Sequence, residues 1–381
     1  MKHSTRWLGG VGTVATVSAL VLTGCSTGGS TGGSTDKGTL TPVTLQLQWV
    51  AQAQFAGYYA AVDQGFYKDE GLDVTITEGA ADIVPQDVLA AGDADFAISW
   101  VPKVLGSIEQ GANITDVAQI FERSATTQIS FKDKGITTAA DLKGKNVGSW
   151  GYGNEWELFA GMQKAGVQVK DIKLVQQAFD MNGFLSGDID AAQAMTYNEY
   201  AQVLETKNPK TGKLYQPEDL NVIDWNKEGT AMLQDAIWAN ADKLDSDKGY
   251  ADTTVKFIKA SIEGWIYAST HAKEAADIVT ANGSTLGQSH QLWMTNEVNK
   301  LIWPSTNGVG LIDDAAWKNT VDIALHTKNE TGATIIKADP PKSAYSNTYV
   351  QKALDELKAD GVDVMGAGFK PLTVTLKEGG K

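Results

Sequence analysis

Short stretches of alternating apolar and polar residues recur along the chain, and stretches with helical spacing follow them. Residues 43–49 and 72–76 alternate in this way, which is the period of a half-buried strand. Between them, residues 55–64 carry apolar side chains at helical spacing and end at Gly65. The repeated pattern predicts an α/β protein with mainly parallel sheets. Further segments of this kind are 83–91, 96–100, 113–121, 145–150, 156–165 and 172–175.

The pattern changes between residues 121 and 134, which predicts a boundary between two lobes. Residues 129–131 are typical of a strand that leaves lobe 1, and residues 236–239 of a strand that returns to it. Arg123 lies close to the first of these hinge strands, and we expect it to form an ion pair there. We predict that lobe 1 comprises residues 42–130 and 236–381, and that lobe 2 comprises residues 131–235. Amphipathic helices are expected at 255–270, 315–326 and 347–357, and a surface insertion at 207–219.

The first residues of the chain have the pattern of an export signal. A basic head precedes an apolar stretch at residues 8–22, and Leu22-Thr23-Gly24-Cys25 resembles the bacterial lipobox, whose cysteine is acylated. Cys25 is the only cysteine, and the Ser, Thr and Gly residues that follow it form a tether without core-forming side chains. We predict a signal peptide at 1–24, a tether at 25–41, and a lipid anchor at Cys25 on the extracytoplasmic face of the cell membrane.

Composition excludes several classes of function. The formal net charge is −14, and removal of the predicted signal, with Lys2 and Arg6 and no acidic residue, makes it −16. An acidic chain of this kind has no electrostatic footprint for nucleic acid. Its four histidines have no metal-ligand spacing, and no Gly-x-Ser-x-Gly motif occurs. We therefore expect neither a cofactor nor a metal, and no catalytic residue.

Tryptophan is abundant, with 11 residues, and three of them follow predicted strands. Open α/β sheets bind ligands at the carboxyl ends of their strands, where Trp49, Trp100 and Trp150 are expected. Indole rings there favour a flat heterocyclic ligand held by stacking and a few hydrogen bonds. By contrast, Trp265, Trp293 and Trp317 are expected to pack in the core or between the lobes. Polar neighbours of the three strand-end tryptophans are Gln52, Gln54, Ser99, Asn154 and Glu155.

The loop Gly148-Ser149-Trp150-Gly151-Tyr152-Gly153-Asn154-Glu155 lies between a predicted strand and a helix. Its glycines let the backbone approach a ligand, but their spacing does not fit a dinucleotide-binding motif. Glu155 and Glu199 could accept hydrogen bonds from a heterocycle or could be solvated surface acids, and the sequence leaves both possibilities open. The remaining candidate ligand-binding residues are Phe55, Tyr58, Tyr197, Asn198, Glu199 and Trp238.

The segment from Trp49 to Val74, WVAQAQFAGYYAAVDQGFYKDEGLDV, resembles the opening of the NMT1/THI5-like family of ABC-transporter substrate-binding lipoproteins. The resemblance implies a type II periplasmic-binding-protein fold, with two lobes of mainly parallel sheets joined by two hinge strands that close over a ligand. It also implies a small-molecule ligand, riboflavin-like or a thiamine-pyrimidine precursor, and an ABC permease as the membrane partner. We expect a monomer that touches the membrane only through its lipid.

Three alternatives stay open at this point, and one of them is a surface adhesion or signalling lipoprotein that reuses the fold. Sulfonate and nitrate binders share the Gly65-Phe66-Tyr67 region, so an anion ligand is the first. The second is an enzyme of pyrimidine synthesis, since the family includes such synthases. In these synthases the resemblance implies a histidine at the position of Phe55 and a cysteine-rich segment, and this chain has neither. We therefore predict a binding protein and not an enzyme.

Overall fold

The computed structural model describes residues 39–381, which form two lobes, each built on a five-stranded sheet. The predicted signal peptide, Cys25 and most of the tether lie outside the described residues. Within 39–381 no helix is both long enough and apolar enough to cross a bilayer. The ten strands are β1 (Thr41–Gln46), β2 (Leu72–Thr77), β3 (Phe96–Trp100), β4 (Ile114–Gln119), β5 (Thr126–Phe131), β6 (Asn146–Ser149), β7 (Lys173–Gln176), β8 (Ala191–Met195), β9 (Leu220–Asp224) and β10 (Asp235–Asn240).

Both sheets have the same topology. The order is β2-β1-β3-β10-β4 in lobe 1 and β7-β6-β8-β5-β9 in lobe 2. In each sheet four strands run in one direction, and the strand arriving from the other lobe, β10 or β5, runs antiparallel to its two neighbours. The sheets are therefore mainly parallel, as predicted.

Helices cover the sheets and fill the sequence between strands. The longest, α10, was expected to begin near Val255 but starts earlier, at Lys248, where Asp247 accepts hydrogen bonds from two backbone amides as its N-cap. The helices are α1 (Ala56–Asp63), α2 (Phe66–Asp69), α3 (Pro85–Ala91), α4 (Val101–Glu109), α5 (Trp156–Lys164), α6 (Asn182–Leu185), α7 (Glu199–Leu204), α8 (Trp225–Glu228), α9 (Ala241–Ser246), α10 (Lys248–Thr270), α11 (Ala272–Ala281), α12 (Gln288–Ile302), α13 (Asp314–His326) and α14 (Thr348–Ala359).

The core of lobe 1 depends on a close crossing of α1 and α10. A side chain on Gly57 would collide with Trp265, and one on Gly264 would collide with the Gly57 carbonyl oxygen. Glycine at both positions lets the two helices approach and bury the Trp265 ring completely. Trp265 therefore packs in the core as predicted, and α1 is fixed beside the loop that carries Trp49.

The crossovers between lobes lie at 120–125 and 225–234, because β5 pairs with β8 and β9 and so belongs wholly to lobe 2. The predicted boundary at residue 130 is therefore five or more residues too late. Arg123 lies in the first crossover, but among residues 39–381 it forms no ion pair. The expected hinge ion pair is replaced by guanidinium hydrogen bonds to the carbonyl oxygens of Leu301 (3.1 Å) and Pro304 (2.7 Å).

A buried carboxyl group joins the two crossovers. Glu157, at the start of α5, accepts hydrogen bonds from the Ser124 hydroxyl (2.8 Å) and from the Met232 backbone amide (2.7 Å). Ser124 belongs to the first crossover and Met232 to the second. Burial raises the pKa of Glu157 to about 8, so the group carries a proton at neutral pH.

Candidate functional site

A cavity of about 570 Å³ lies between the lobes at the carboxyl ends of the parallel strands. Lobe 1 contributes the loop after β1, the start of α3, the end of β3 and the first turns of α4. Lobe 2 contributes the loop after β6, the loop after β7 and the end of β8. This volume suits a small organic ligand.

Aromatic rings from both lobes line the cavity. Trp49 and Trp100 come from lobe 1, and Trp150 and Tyr197 from lobe 2. Trp49 contacts Phe179 of lobe 2, with ring centroids 4.7 Å apart and planes inclined at 52°. Since Phe179 is 43% exposed, this pair lies at the mouth of the cavity, where it joins the two lobes.

The carboxylate of Asp235 organises the polar floor of the cavity. One of its oxygens accepts hydrogen bonds from Gln48 Nε2 (2.7 Å) and Trp100 Nε1 (2.8 Å), and the other accepts from Gln54 Nε2 (2.9 Å). Burial raises the pKa of Asp235 to about 6, while these donors act to lower it. The acid therefore remains ionised at neutral pH and fixes the orientation of three cavity-lining side chains.

Two further polar pairs line lobe 1 of the cavity. Gln52 Nε2 donates to Gln54 Oε1 at 2.7 Å, which extends the network of Asp235 by one side chain. The Ser99 hydroxyl donates to Gln86 Oε1 at 3.0 Å. Both pairs are buried, so their orientation is set by the protein before any ligand enters.

The glycine-rich loop after β6 has an unusual backbone. Gly151, Tyr152 and Gly153 all have positive φ angles, of 67°, 53° and 84°. Tyr152 is the only non-glycine residue within 39–381 with a positive φ, and its side chain is 81% exposed. A left-handed tyrosine costs conformational energy, which is typical of functional loops. The loop is held in place by Asn154 Nδ2, which donates to the Gly151 carbonyl oxygen at 2.7 Å.

On the lobe 2 side, Asn198 and Glu199 follow β8 and line the cavity. Glu199 accepts hydrogen bonds from the Met195 amide (3.0 Å) and from Asn198 Nδ2 (3.0 Å), and burial raises its pKa to about 7. Asn198 Oδ1 lies 3.1 Å from Nε2 of His290, whose Nδ1 lies 2.9 Å from a carboxylate oxygen of Glu205. Because His290 belongs to α12, this series of hydrogen bonds connects lobe 1 to the cavity wall of lobe 2.

Most of the residues proposed from sequence line the cavity, and four do not. Phe55 is fully buried in the lobe 1 core. Tyr58 packs edge-on against Trp265, with ring centroids 5.6 Å apart. Trp238 is buried beside α4 and donates its Nε1–H to the Ser99 carbonyl oxygen at 3.0 Å. Glu155 is half-buried outside the cavity lining, accepts from the Gly153 amide at 3.0 Å, and has its pKa raised by burial. The proposed residues that line it are Trp49, Gln52, Gln54, Ser99, Trp100, Trp150, Tyr152, Asn154, Tyr197, Asn198 and Glu199.

Sequence reasoning missed Asp235, Lys103, Gln48 and Phe179. Asp235 begins β10, and the antiparallel pairing places it opposite Trp100 at the carboxyl end of β3. A search for residues after strands therefore passes over it. Lys103 lies in the first turn of α4, with its Nζ 5.0 Å from the centroid of the Trp100 ring. The sequence signal that could have identified Lys103 is Val101-Pro102-Lys103, which follows the predicted strand at 96–100 directly and starts a helix.

The model of a protein family described as NMT1/THI5-like matches residues 52–275. The chain belongs to the NMT1/THI5-like family. The matched region contains the whole of lobe 2 together with β2, β3, β4 and β10 of lobe 1. It also contains almost every residue that lines the cavity, together with Asp235, which holds three side chains at or near its floor.

Relatives within and around this family carry names of two kinds. A formylaminopyrimidine-binding protein of Halalkalibacterium halodurans is 22% identical, over 70% of this chain and 77% of its own length. The riboflavin-binding protein RibY of Chloroflexus aurantiacus is 22% identical, over 74% and 80%. A 4-amino-5-hydroxymethyl-2-methylpyrimidine phosphate synthase of Candida albicans is 21% identical over 61% of this chain and 69% of its own length. The two binding proteins thus match more of this NMT1/THI5-like chain than the synthase does.

Solved structures confirm the predicted fold. The periplasmic aliphatic sulphonate binding protein SsuA of Escherichia coli superimposes with a TM-score of 0.55, covering 88% of this chain and 92% of SsuA. The sequences are only 14% identical, so the likeness concerns the fold alone. This member of the NMT1/THI5-like family therefore has the two-lobed α/β fold of periplasmic binding proteins.

Proposed function

We propose that this protein is the extracytoplasmic substrate-binding component of an ABC importer and captures a flat aromatic N-heterocycle. The observation that carries the proposal is the set of aromatic rings that both lobes direct to one cavity, Trp49 and Trp100 from lobe 1 and Trp150 and Tyr197 from lobe 2. Rings on two lobes can enclose both faces of a planar guest when the lobes close. The ligand would be riboflavin-like or a thiamine-type pyrimidine.

Two relatives support this ligand class. One is named for binding formylaminopyrimidine and the other for binding riboflavin, and both compounds are flat nitrogen heterocycles. The fixed amides of Gln48 and Gln52 would supply hydrogen-bond partners for the nitrogens of such a ring. We keep both ligands as candidates, with riboflavin ahead because the cavity is wide and rich in aromatic rings.

An anion ligand fits the same fold less well. The solved sulphonate binder shares the architecture, but among residues 39–381 Lys103 is the only basic side chain that lines the cavity. The acids Asp235 and Glu199 line or support the same space. A fully ionised sulphonate would lie near them without a compensating cluster of basic groups.

The location and partners follow from the same proposal. Acylation at Cys25 would anchor the protein to the outer face of the cytoplasmic membrane, and the tether would let the two lobes reach an ABC permease. We propose a monomer, because one chain supplies both lobes of the cavity. Binding followed by release to the permease requires no chemical change of the ligand. The proposed function is therefore binding and not catalysis.

Titration of intrinsic tryptophan fluorescence tests the proposed ligand class. Riboflavin and 4-amino-5-hydroxymethyl-2-methylpyrimidine serve as planar ligands, and taurine serves as the sulphonate control. We expect saturable quenching by at least one planar ligand and none by taurine, with the same affinity by calorimetry. Saturable binding of taurine alone would overturn the proposal.

A paired substitution tests the site. Trp49→Ala combined with Trp150→Ala should abolish binding of the planar ligand. Trp317→Ala is the matched control, because Trp317 packs against Tyr345 outside the cavity, with ring centroids 4.6 Å apart. Unchanged affinity in the double variant would show that the ligand binds elsewhere.

A further inference from the structure

Lys103 crosses the cavity from lobe 1 towards lobe 2. Its side chain leaves the first turn of α4, and its Nζ lies over the Trp100 ring, 5.0 Å from the centroid. A Cβ placed on Gly153 would lie 3.6 Å from Lys103 Cγ, so the lysine stem packs against the glycine-rich loop of lobe 2. The ammonium group is therefore held at the gap between the lobes.

Within residues 39–381 this ammonium group has no hydrogen-bond acceptor and no ion-pair partner, although Glu155 and Asp235 are near enough to affect its charge. Burial lowers the pKa of Lys103 to about 8, so most molecules carry the charge at pH 7. A half-buried ammonium without an acceptor is costly, and an acceptor on the ligand would relieve that cost.

The other polar side chains of the lobe 1 wall are uncharged donors and acceptors that bond largely within the protein. Gln48 Nε2, Gln54 Nε2 and Trp100 Nε1 all donate to Asp235. Gln52 Nε2 donates to Gln54 Oε1. The single indole N–H and one N–H of each of these three amides are thus engaged within the protein. The amide oxygens of Gln48 and Gln52 are left for a ligand, and among residues 39–381 Lys103 is the only charged donor that lines the cavity.

We propose that the ligand is an uncharged heterocycle whose carbonyl oxygen accepts a hydrogen bond from Lys103 Nζ while a neighbouring ring N–H faces the amide oxygens of Gln48 and Gln52. This inference rests on the proposed function and narrows its ligand class. A cationic heterocycle is disfavoured because it would meet the Lys103 charge. A fully ionised anion is disfavoured because the ionised Asp235 carboxylate lies behind the same wall and offsets that single cation.

Two variants of Lys103 and a matched control test the inference. Lys103→Met removes the donor, and Lys103→Arg keeps a charged donor at the same place. Lys243→Met is the control, because Lys243 also lies over an aromatic ring, 5.5 Å from the Tyr250 centroid, but outside the cavity. Circular dichroism and thermal melting establish that each variant folds.

The probes are riboflavin, which is uncharged and has two ring carbonyls, 4-amino-5-hydroxymethyl-2-methylpyrimidine, which has no carbonyl, and thiamine, which is a cation. We expect wild type to bind riboflavin tightest and thiamine weakest. Lys103→Met should weaken the binding of riboflavin at least 10-fold. Lys103→Arg should weaken it by less than 3-fold, and Lys243→Met by less than 2-fold. Any binding of the pyrimidine should be equal in wild type and Lys103→Met.

Two outcomes would overturn the inference while the proposed function stands. One is riboflavin binding to folded Lys103→Met with wild-type affinity. The other is tighter binding of thiamine or the pyrimidine than of riboflavin by the wild type. If the wild type binds taurine and none of the three heterocycles, the proposed function itself fails and this inference fails with it.

Discussion

The indole N–H of Trp100 donates a 2.8 Å hydrogen bond to the carboxylate of Asp235, a residue 135 positions later in the chain. Trp100 ends β3 and Asp235 begins β10, and the two residues pair directly in the sheet. The second crossover thus delivers an acid to the floor of the cavity just as the chain returns to lobe 1. The residue that follows this crossover therefore contacts a cavity-lining ring directly.

Replacement of Asp235 by asparagine should disrupt the cavity floor. All three partners are N–H donors, so the new amide nitrogen would face a donor and force Gln54 to turn away from Gln52. We expect Asp235→Asn to weaken ligand binding about 10-fold and to lower the free energy of unfolding by about 1–3 kcal/mol. Calorimetry and urea unfolding measure the two effects. Asp133→Asn, at an exposed acid of lobe 2, is the control, and equal behaviour of the two variants would contradict the role of Asp235.

Removal of the Phe179 ring should speed ligand release. Phe179 contacts Trp49 across the mouth of the cavity, so Phe179→Ala removes a contact between the lobes and leaves the floor of the cavity unchanged. We expect the dissociation rate to rise about 10-fold with a smaller change in the association rate. Stopped-flow fluorescence measures both rates. Leu372→Ala, at another exposed apolar side chain outside the cavity, should leave them unchanged, and an unaltered dissociation rate in Phe179→Ala would refute a closing role.

The ring of Tyr152 should contribute to ligand binding, while its left-handed backbone conformation lowers the stability of the fold. Tyr152→Gly removes both the ring and the left-handed strain, and Tyr152→Asn removes the ring but tolerates this backbone conformation. We expect both variants to bind ligand about 3- to 10-fold more weakly, with a melting temperature no lower than wild type. Tyr152→Phe should retain affinity. Wild-type affinity in Tyr152→Gly would mean that the exposed ring does not touch the ligand.

The buried acid at the hinge should make stability depend on pH. The pKa of Glu157 is raised to about 8, so the folded protein keeps a proton that the unfolded chain releases above its ordinary value of 4.5. Stability contributed by this group is therefore complete below about pH 4.5 and is lost as the pH rises to about 8. Glu199 and Glu122, with pKa values raised to about 7, act in the same direction.

Glu157→Gln tests this dependence, since glutamine stays neutral at every pH. Between pH 5 and pH 8 we expect the variant to lose stability less steeply than wild type, by about 1.4 kcal/mol per pH unit at most. Urea unfolding at several pH values gives both slopes. Glu330→Gln, at an exposed position, should follow the wild type. Identical slopes in Glu157→Gln and wild type would show that Glu157 titrates normally.

The local pattern of side chains was sufficient to predict most of the sheet and helix segments. β3 lies at Phe96–Trp100 as predicted, because a fully buried strand is a short apolar run between turn signals. Gly65 and Gly92 end their helices with left-handed φ angles of 84°, as glycine at a helix C-terminus predicts. Ordinary strand ends were equally informative, since Trp49, Trp100, Trp150 and Tyr197 all line the cavity.

The sequence by itself determined the fold class, the family and the aromatic residues that follow parallel strands, because these depend on local periodicity and on short contiguous motifs. Only the tertiary structure decided that Asp235 and Lys103 belong to the cavity and that Phe55, Tyr58 and Trp238 belong to the core. The antiparallel return of β10 reverses which end of a strand faces the ligand, so Asp235 comes from a strand start. Likewise, the face of α1 that carries Tyr58 is chosen by its glycine contact with α10, a pairing across two hundred residues that no local pattern records.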